Sequence, residues 1–175
     1  MKFYDLLTDG YTRISQVLER ALKGLTVDDL KWLPHPESNS IGWLTWHLTR
    51  VQDDHIASLM GEEQLWIKDG WHAKFNKPAD PRDRGFGDTP EQVAAFDCPD
   101  AETLLAYHRA VSERSKAYFP TLSETDLDRE LQEPQYTPLP TVGVRLISVL
   151  ADNLQHAGQA AFVRGQLQGR GWQSF

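Results

Sequence analysis

Apolar residues recur at spacings of three and four in four segments of this chain. Tyr4, Leu7, Tyr11, Ile14, Leu18, Ala21 and Leu25 form the first stripe, which predicts a helix from about Tyr4 to Lys23, stopped near Gly24. Ile41, Leu44, Leu48, Val51, His55 and Leu59 form the second, with Ser40 or Asn39 as N-cap and Gly61 as stop. The third carries Ala101, Leu104, His108, Val111, Ser115 and Tyr118, opening after Pro99-Asp100 and closing before Pro120. The fourth carries Val142, Leu146, Val149, Asn153, His156, Ala160, Val163 and Leu167, ending around Gly169. Four amphipathic helices of this length predict an all-α protein, a four-helix bundle. Period-two alternation is nowhere long enough for a core strand.

The links between these helices differ. Leu25 to Asn39, with Pro34-His35-Pro36, joins the first two. Glu62 to Asp100 joins the second and third and exceeds the usual bundle loop, so it is expected to cross the bundle or cover a site. Its Trp66, Ile67, Trp71, Phe75 and Phe86 suggest a segment that packs. Ser123 to Thr141 holds Pro134, Pro138 and Pro140, which fits short irregular or extended pieces. With no internal repeat or low-complexity tract, the whole chain, 1–175, is expected to be one domain.

A bundle seam should be dry, yet these stripes are not. His47 lies beside the second stripe and His55 within it; His108, Asn153 and His156 lie in stripes, with Asp152 alongside. An unpaired polar group in a core costs about 1–3 kcal/mol, so hydrogen bonds, a metal or a water-filled cavity must account for them. Asp152 and His156 are four residues apart, neighbours on one helix face, and can reach one cation together. His47, in Trp46-His47-Leu48, offers a third ligand from another helix. Two nitrogens and one oxygen with a position left open describe a working metal site rather than a structural one. By spacing alone, the plainer reading of Asp152 and His156 is a buried hydrogen bond between them. His55 is about 12 Å of helix rise from His47, too far to share one ion, and is expected in the core or at the surface. His108 either lines a cavity or packs.

Composition narrows the partners. The net charge of -7 argues against a nucleic-acid groove and against anionic membranes. No apolar run approaches the ~20 residues of a membrane span, and the N-terminus lacks the apolar stretch of a signal peptide. Cys98 is the single cysteine, which excludes an internal disulfide and fits a reducing cytoplasm. It precedes Pro99 with no basic neighbour and is not expected to act as a nucleophile. The six tryptophans fit a deep core, a pocket lining or an interface, and the chain is expected to be a monomer or a homodimer.

The segment Ile41-Gly42-Trp43-Leu44-Thr45-Trp46-His47-Leu48, taken with Asp152-Asn153-Leu154-Gln155-His156-Ala157-Gly158-Gln159-Ala160 and Arg164, resembles the DinB-like superfamily. The resemblance is closest to its actinobacterial branch, which includes mycothiol-dependent maleylpyruvate isomerase and mycothiol S-transferases. It covers essentially the whole chain, in the same helix order and with the same long crossover between the second and third helices. Many members carry a His on the second helix and a His-x-x-x-His pair on the fourth. Here Asp152 takes the first place of that pair, as an acidic residue does in the isomerase branch. Carried over position by position, the resemblance implies His47, Asp152 and His156 as metal ligands.

An open divalent site does one of two things. It acidifies a bound water for hydrolysis, or it holds a thiol as its nucleophilic thiolate. Lacking a convincing cysteine, the chain suits a thiol supplied as cosubstrate, and the resemblance implies mycothiol. Zinc is the expected metal, while two histidines and a carboxylate would also hold nickel. The first expectation is therefore a metal-dependent thiol S-transferase, joining a small-molecule thiol to an electrophile in detoxification. A thiol-dependent isomerase of an unsaturated diacid ranks lower, because no pair of cationic groups is evident and the added C-terminal domain of that isomerase is not seen. Two further readings are a metal-dependent hydrolase and a non-enzymatic, stress-associated metal-binding module. Trp43 and Trp46 flank His47 and either wall the electrophile's pocket or pack between helices. Arg145, seven residues before Asp152, either meets a polar cosubstrate or is solvated, the plainer reading. Asp53, Asp54 and Arg164 are candidates for interhelical ion pairs, with Arg164 taken as structural.

Overall fold

The computed structural model describes residues 1–169, 171 and 172, and the predicted helices are present with their boundaries close to those expected. The first, α1, spans Phe3–Leu22 and is followed by a short α2, Val27–Lys31. The second long helix, α3, spans Ile41–Met60. Ser40 starts it by accepting a hydrogen bond from the Trp43 amide, and Gly61 ends it at φ +67, a left-handed turn that spares glycine the Cβ clash. The connector folds into α4 (Leu65–Lys68), α5 (Trp71–Lys74) and α6 (Pro90–Ala94). Next comes α7, Ala101–Tyr118, capped by Asp100; it closes before Pro120, as expected, and a 3-10 turn over Phe119–Thr121 follows it. A short α8 (Glu124–Leu127) and one antiparallel bridge, Glu130 to Thr141, make up the proline-rich link. The last helix, α9, spans Val142–Gln168 and is capped by Thr141. The architecture is all-α, and among the described residues no helix is long and apolar enough to cross a membrane.

Cross-helix contacts fix the directions. Arg164 on α9 reaches the carbonyls of Ala21 and Lys23 at the end of α1, while Gly10 lies against Leu150, so α1 and α9 run parallel. Gln52 meets Asn153 and His55 meets Arg145, so α3 and α9 run antiparallel. Thr49 meets His108 and Gln52 meets Ser115, so α3 and α7 run parallel. Two consecutive parallel helices need a link that travels back along the bundle. A 20-residue helix is about 30 Å long, which is why a 39-residue connector, residues 62–100, stands there.

That connector packs, as its aromatics suggested, with Trp66, Trp71, Phe75 and Phe96 buried. Phe86 departs from the expectation: it is 88% exposed. Asp53 on α3 anchors the connector. Its carboxylate accepts from the Leu65 and Trp66 amides at 2.9 and 2.8 Å and from the Tyr107 hydroxyl at 2.8 Å. It also faces Arg50 and, across helices, Arg114. Asp54 pairs with Arg84 of the connector rather than with another long helix. Arg164 is structural but forms no such pair among the described residues; its guanidinium satisfies the free carbonyls at the end of α1.

Most polar residues on the stripes have protein partners. Asn153 donates to Gln52, Gln52 donates to Ser115, and Ser115 donates to the Val111 carbonyl, each at 2.8 Å, a polar rung through the core. His108 packs and lines no cavity near His47. Its ring nitrogens meet Ser15 at 3.0 Å and Thr49 at 3.2 Å. Burial pushes its pKa down to about 4, so it is neutral at physiological pH.

Candidate metal centre

The antiparallel packing of α3 on α9 brings His47 opposite Asp152 and His156. One ligand atom from each of the three lies within 4.8 Å of the others. This spacing allows a single ion to touch all three.

Each of the two imidazoles is held by something behind it. The His47 ring stacks on Trp43 at 4.7 Å between centroids and 7° between planes, and meets the edge of His156 at 4.8 Å. Its Nδ1 donates to the carbonyl of Arg84 in the connector. A carbonyl only accepts, so the ring proton sits on Nδ1 and the Nε2 lone pair is free. Burial lowers the His47 pKa, which keeps that lone pair unprotonated near neutral pH. Nδ1 of His156 lies 2.7 Å from Gln159 Oε1, which directs Nε2 toward Asp152. Burial pulls the His156 pKa down, but hydrogen bonds to Asp152 and Gln159 outweigh it and the net direction is up.

The Asp152–His156 contact is loose, at 3.5 Å. It leaves Asp152 Oδ2 buried with no hydrogen-bond partner. A buried carboxylate oxygen without a donor is costly as a structural feature and is what an anionic ligand to a cation would show. The residues present therefore fit a divalent metal.

Beside the ligands lies a cavity of about 250 Å³, lined by His47, Asp152, His55, Arg84, Tyr136 and Arg145 among others. Arg145 is not the solvated residue of the plainer reading: its side chain is 11% exposed, ion-paired with Glu133, with Nη1 against the His55 ring at 3.2 and 3.3 Å. His55 stands in the same wall, outside the ligand group, and burial with the nearby Arg145 lowers its pKa to about 4. Trp43 and Trp46 do not line this cavity. Trp43 is fixed by its indole N–H to Asp88 at 3.0 Å, and Trp46 packs on Trp66 and Phe96 under the connector. Trp43 stands behind His47, and Trp46 behind Trp43.

Sequence reasoning missed the connector's contribution: Arg84, Asp88 and Gly85. Gly85 has φ +76, and a Cβ there would lie 2.8 Å from both Trp43 and Trp46. Only glycine lets the chain pass close enough to present the Arg84 carbonyl to His47. A glycine in a polar stretch carries no helical period, so no pattern pointed to it. Gln159 was visible three residues after His156, on the same face.

No curated protein matches this chain. Among solved structures, a conserved protein from Enterococcus faecalis is similar throughout: 30% identity, TM-score 0.89, covering 97% of this chain and 99% of that one. The DinB superfamily matches residues 11–160, which span the long helices from α1 into α9 and all three candidate ligands. On that match the chain belongs to the DinB superfamily, which includes metal-dependent enzymes.

Proposed function

We propose that this protein is a metal-dependent thiol S-transferase, joining the sulfur of a low-molecular-weight thiol to an electrophilic carbon of a small molecule. The observation that carries the reading is the convergence of His47, Asp152 and His156 beside a cavity to which the chain brings no thiol of its own. Cys98 is buried and outside that cavity, and burial pushes its pKa up to about 12, leaving it protonated and inert. The nucleophile must then be supplied. A divalent ion held by these three side chains, zinc by its tolerance of mixed nitrogen and oxygen ligands or nickel, favours the thiolate form of a thiol near neutral pH.

The chain's own residues prepare the place. The Arg84 carbonyl and Gln159 hold the two imidazoles in the tautomer that presents Nε2. Trp43 stacks behind His47, and neutral His55 and Arg145 complete the lining of the cavity. The thiol proton passes to solvent, the sulfur lone pair forms the S–C bond, and a halide or ring-opened epoxide oxygen leaves with the C–X electrons. Mycothiol is the thiol the family resemblance favours.

The test is turnover of monochlorobimane with mycothiol, bacillithiol and glutathione in parallel, with and without a chelator. Thiol-dependent turnover that the chelator and His156→Ala both abolish is the expected result. Retained metal binding without thiol-dependent turnover overturns it, and ester hydrolysis without any thiol would assign a hydrolase instead. One observation favours the isomerase as a second reading: Arg84 and Arg145 both line the cavity, a cationic pair that a diacid would need. Asp54 and Glu133 already neutralise them, so transfer stands first. Isomerisation of an unsaturated diacid without net thiol consumption would reverse that order.

A further inference from the structure

The metal cavity has a neighbour. Tyr136, Arg145 and Ser148 line it and also line a second cavity of about 400 Å³, whose walls include Pro138, Leu139 and Val144. The two spaces differ in chemistry. The inner one carries His47, Asp152 and Arg84, while the outer one is walled by the proline-rich link and the first two turns of α9, with Arg145 shared between them. Apolar side chains stand open to solvent around both: Tyr136 is 52% and Val144 54% exposed, and Phe86, on the inner cavity, is 88% exposed. Phe86 and Tyr136 come from two different connecting segments and meet at one cavity. Small-molecule sites have this form, mostly apolar with a few polar groups that orient the ligand, and their volumes run from about 300 to 1,000 Å³.

Building on the transferase reading, we propose that the outer cavity receives the apolar body of the electrophile, with its reacting carbon in the metal cavity on the other side of Arg145. The substrate class is an uncharged small molecule with an aromatic or branched aliphatic skeleton. A polar thiol cosubstrate gains nothing from Pro138, Leu139 and Val144, and its sulfur belongs at the ligand cluster. An apolar skeleton gains by leaving water there.

The halogen-free parent bimane cannot react and serves as the probe, titrated calorimetrically into zinc-loaded and chelator-treated protein. Saturable binding is expected in both, because the outer cavity contains no metal ligand. Val144→Glu should weaken it at least tenfold, with zinc affinity and melting temperature unchanged, and Val144→Ile should retain it. Val144 is exposed and lies at the third position of α9, where Glu is favoured in a capping box, so the variant folds. No saturable binding to the wild-type protein, or binding that Val144→Glu leaves intact, overturns the proposal. Bimane binding that depends on Val144 in a protein with no thiol-dependent turnover removes the reaction and leaves the subsite standing.

Discussion

Asp152 spends its two carboxylate oxygens unequally: one lies 3.5 Å from His156, the other is buried without a donor. A residue selected for stability would have been paired better, so its function and its contribution to the fold should separate on mutation. Asp152→Asn is expected to stabilise the metal-free protein by about 1 kcal/mol, because a neutral amide is cheaper to bury, while sharply weakening zinc binding. Urea unfolding of the metal-free protein together with a chelator competition titration reads both, and a loss of stability would mean that the pair is a structural hydrogen bond. Gln159→Leu frees the His156 ring and should cost about 10–100-fold in zinc affinity with the fold intact. Protons compete with the metal for Nε2 of His156, whose pKa is raised above its ordinary 6.5, whereas that of His47 is lowered. Zinc affinity should therefore begin to fall at the His156 range as pH drops, with a slope of one proton until His47 joins. At this scale the convergence of three candidate ligands was legible, since Asp152 and His156 are one helical turn apart and His47 breaks an apolar run. The atoms that orient them were not read from the sequence; only Gln159, which shares the helix, left a signal in its spacing from His156.

The four long helices were readable because each carries an apolar stripe, and three of them carry a side-chain N-cap as well. Ser40, Asp100 and Thr141 each accept from the amide three residues on. The connector's packing was readable from its aromatics, but its helices were not. Its helices are four or five residues long, too short to hold by propensity, and exist through what they touch. Asp53 is the main such contact, and removing it leaves the buried Arg50 without its counterion, Arg114 with Glu62 alone, and two amides without an acceptor. Asp53→Ala should cost about 3–5 kcal/mol. Hydrogen exchange should show Leu65 and Trp66 losing protection well before the α9 core. Gly85→Ala tests the other end of the connector. Its Cβ would meet two buried indoles in a left-handed conformation, so a loss of about 1–3 kcal/mol is expected, together with weaker zinc binding as the Arg84 carbonyl leaves His47. Zinc affinity unchanged in Gly85→Ala would mean that the carbonyl does not set the imidazole's tautomer.

Across the whole molecule, the up-down-down-up order follows from parallel α3 and α7, and it makes the connector necessary for the topology as well as for the site. The same packing encloses two histidines away from the ligand group. His108 is held between Ser15 and Thr49, and His55 faces Arg145; burial pushes both down to about 4. Both are neutral in the folded state at pH 7, whereas an unfolded histidine protonates near its ordinary 6.5. Between those values the unfolded chain binds more protons than the folded one, so stability rises with pH. The contribution is complete above about 6.5 and is lost as pH falls toward 4. For fully buried His108, the shift from 6.5 to about 4 corresponds to about 3 kcal/mol, at 1.36 kcal/mol per unit. Urea unfolding of metal-free protein at several pH values across that window should show the decline, and His108→Gln should flatten it by removing one titrating site. Carboxylates also titrate at the acid end, so the difference between the two proteins, not the absolute slope, isolates the histidine. A variant whose stability falls as steeply as the wild type's would show that His108 takes up its proton without unfolding the bundle.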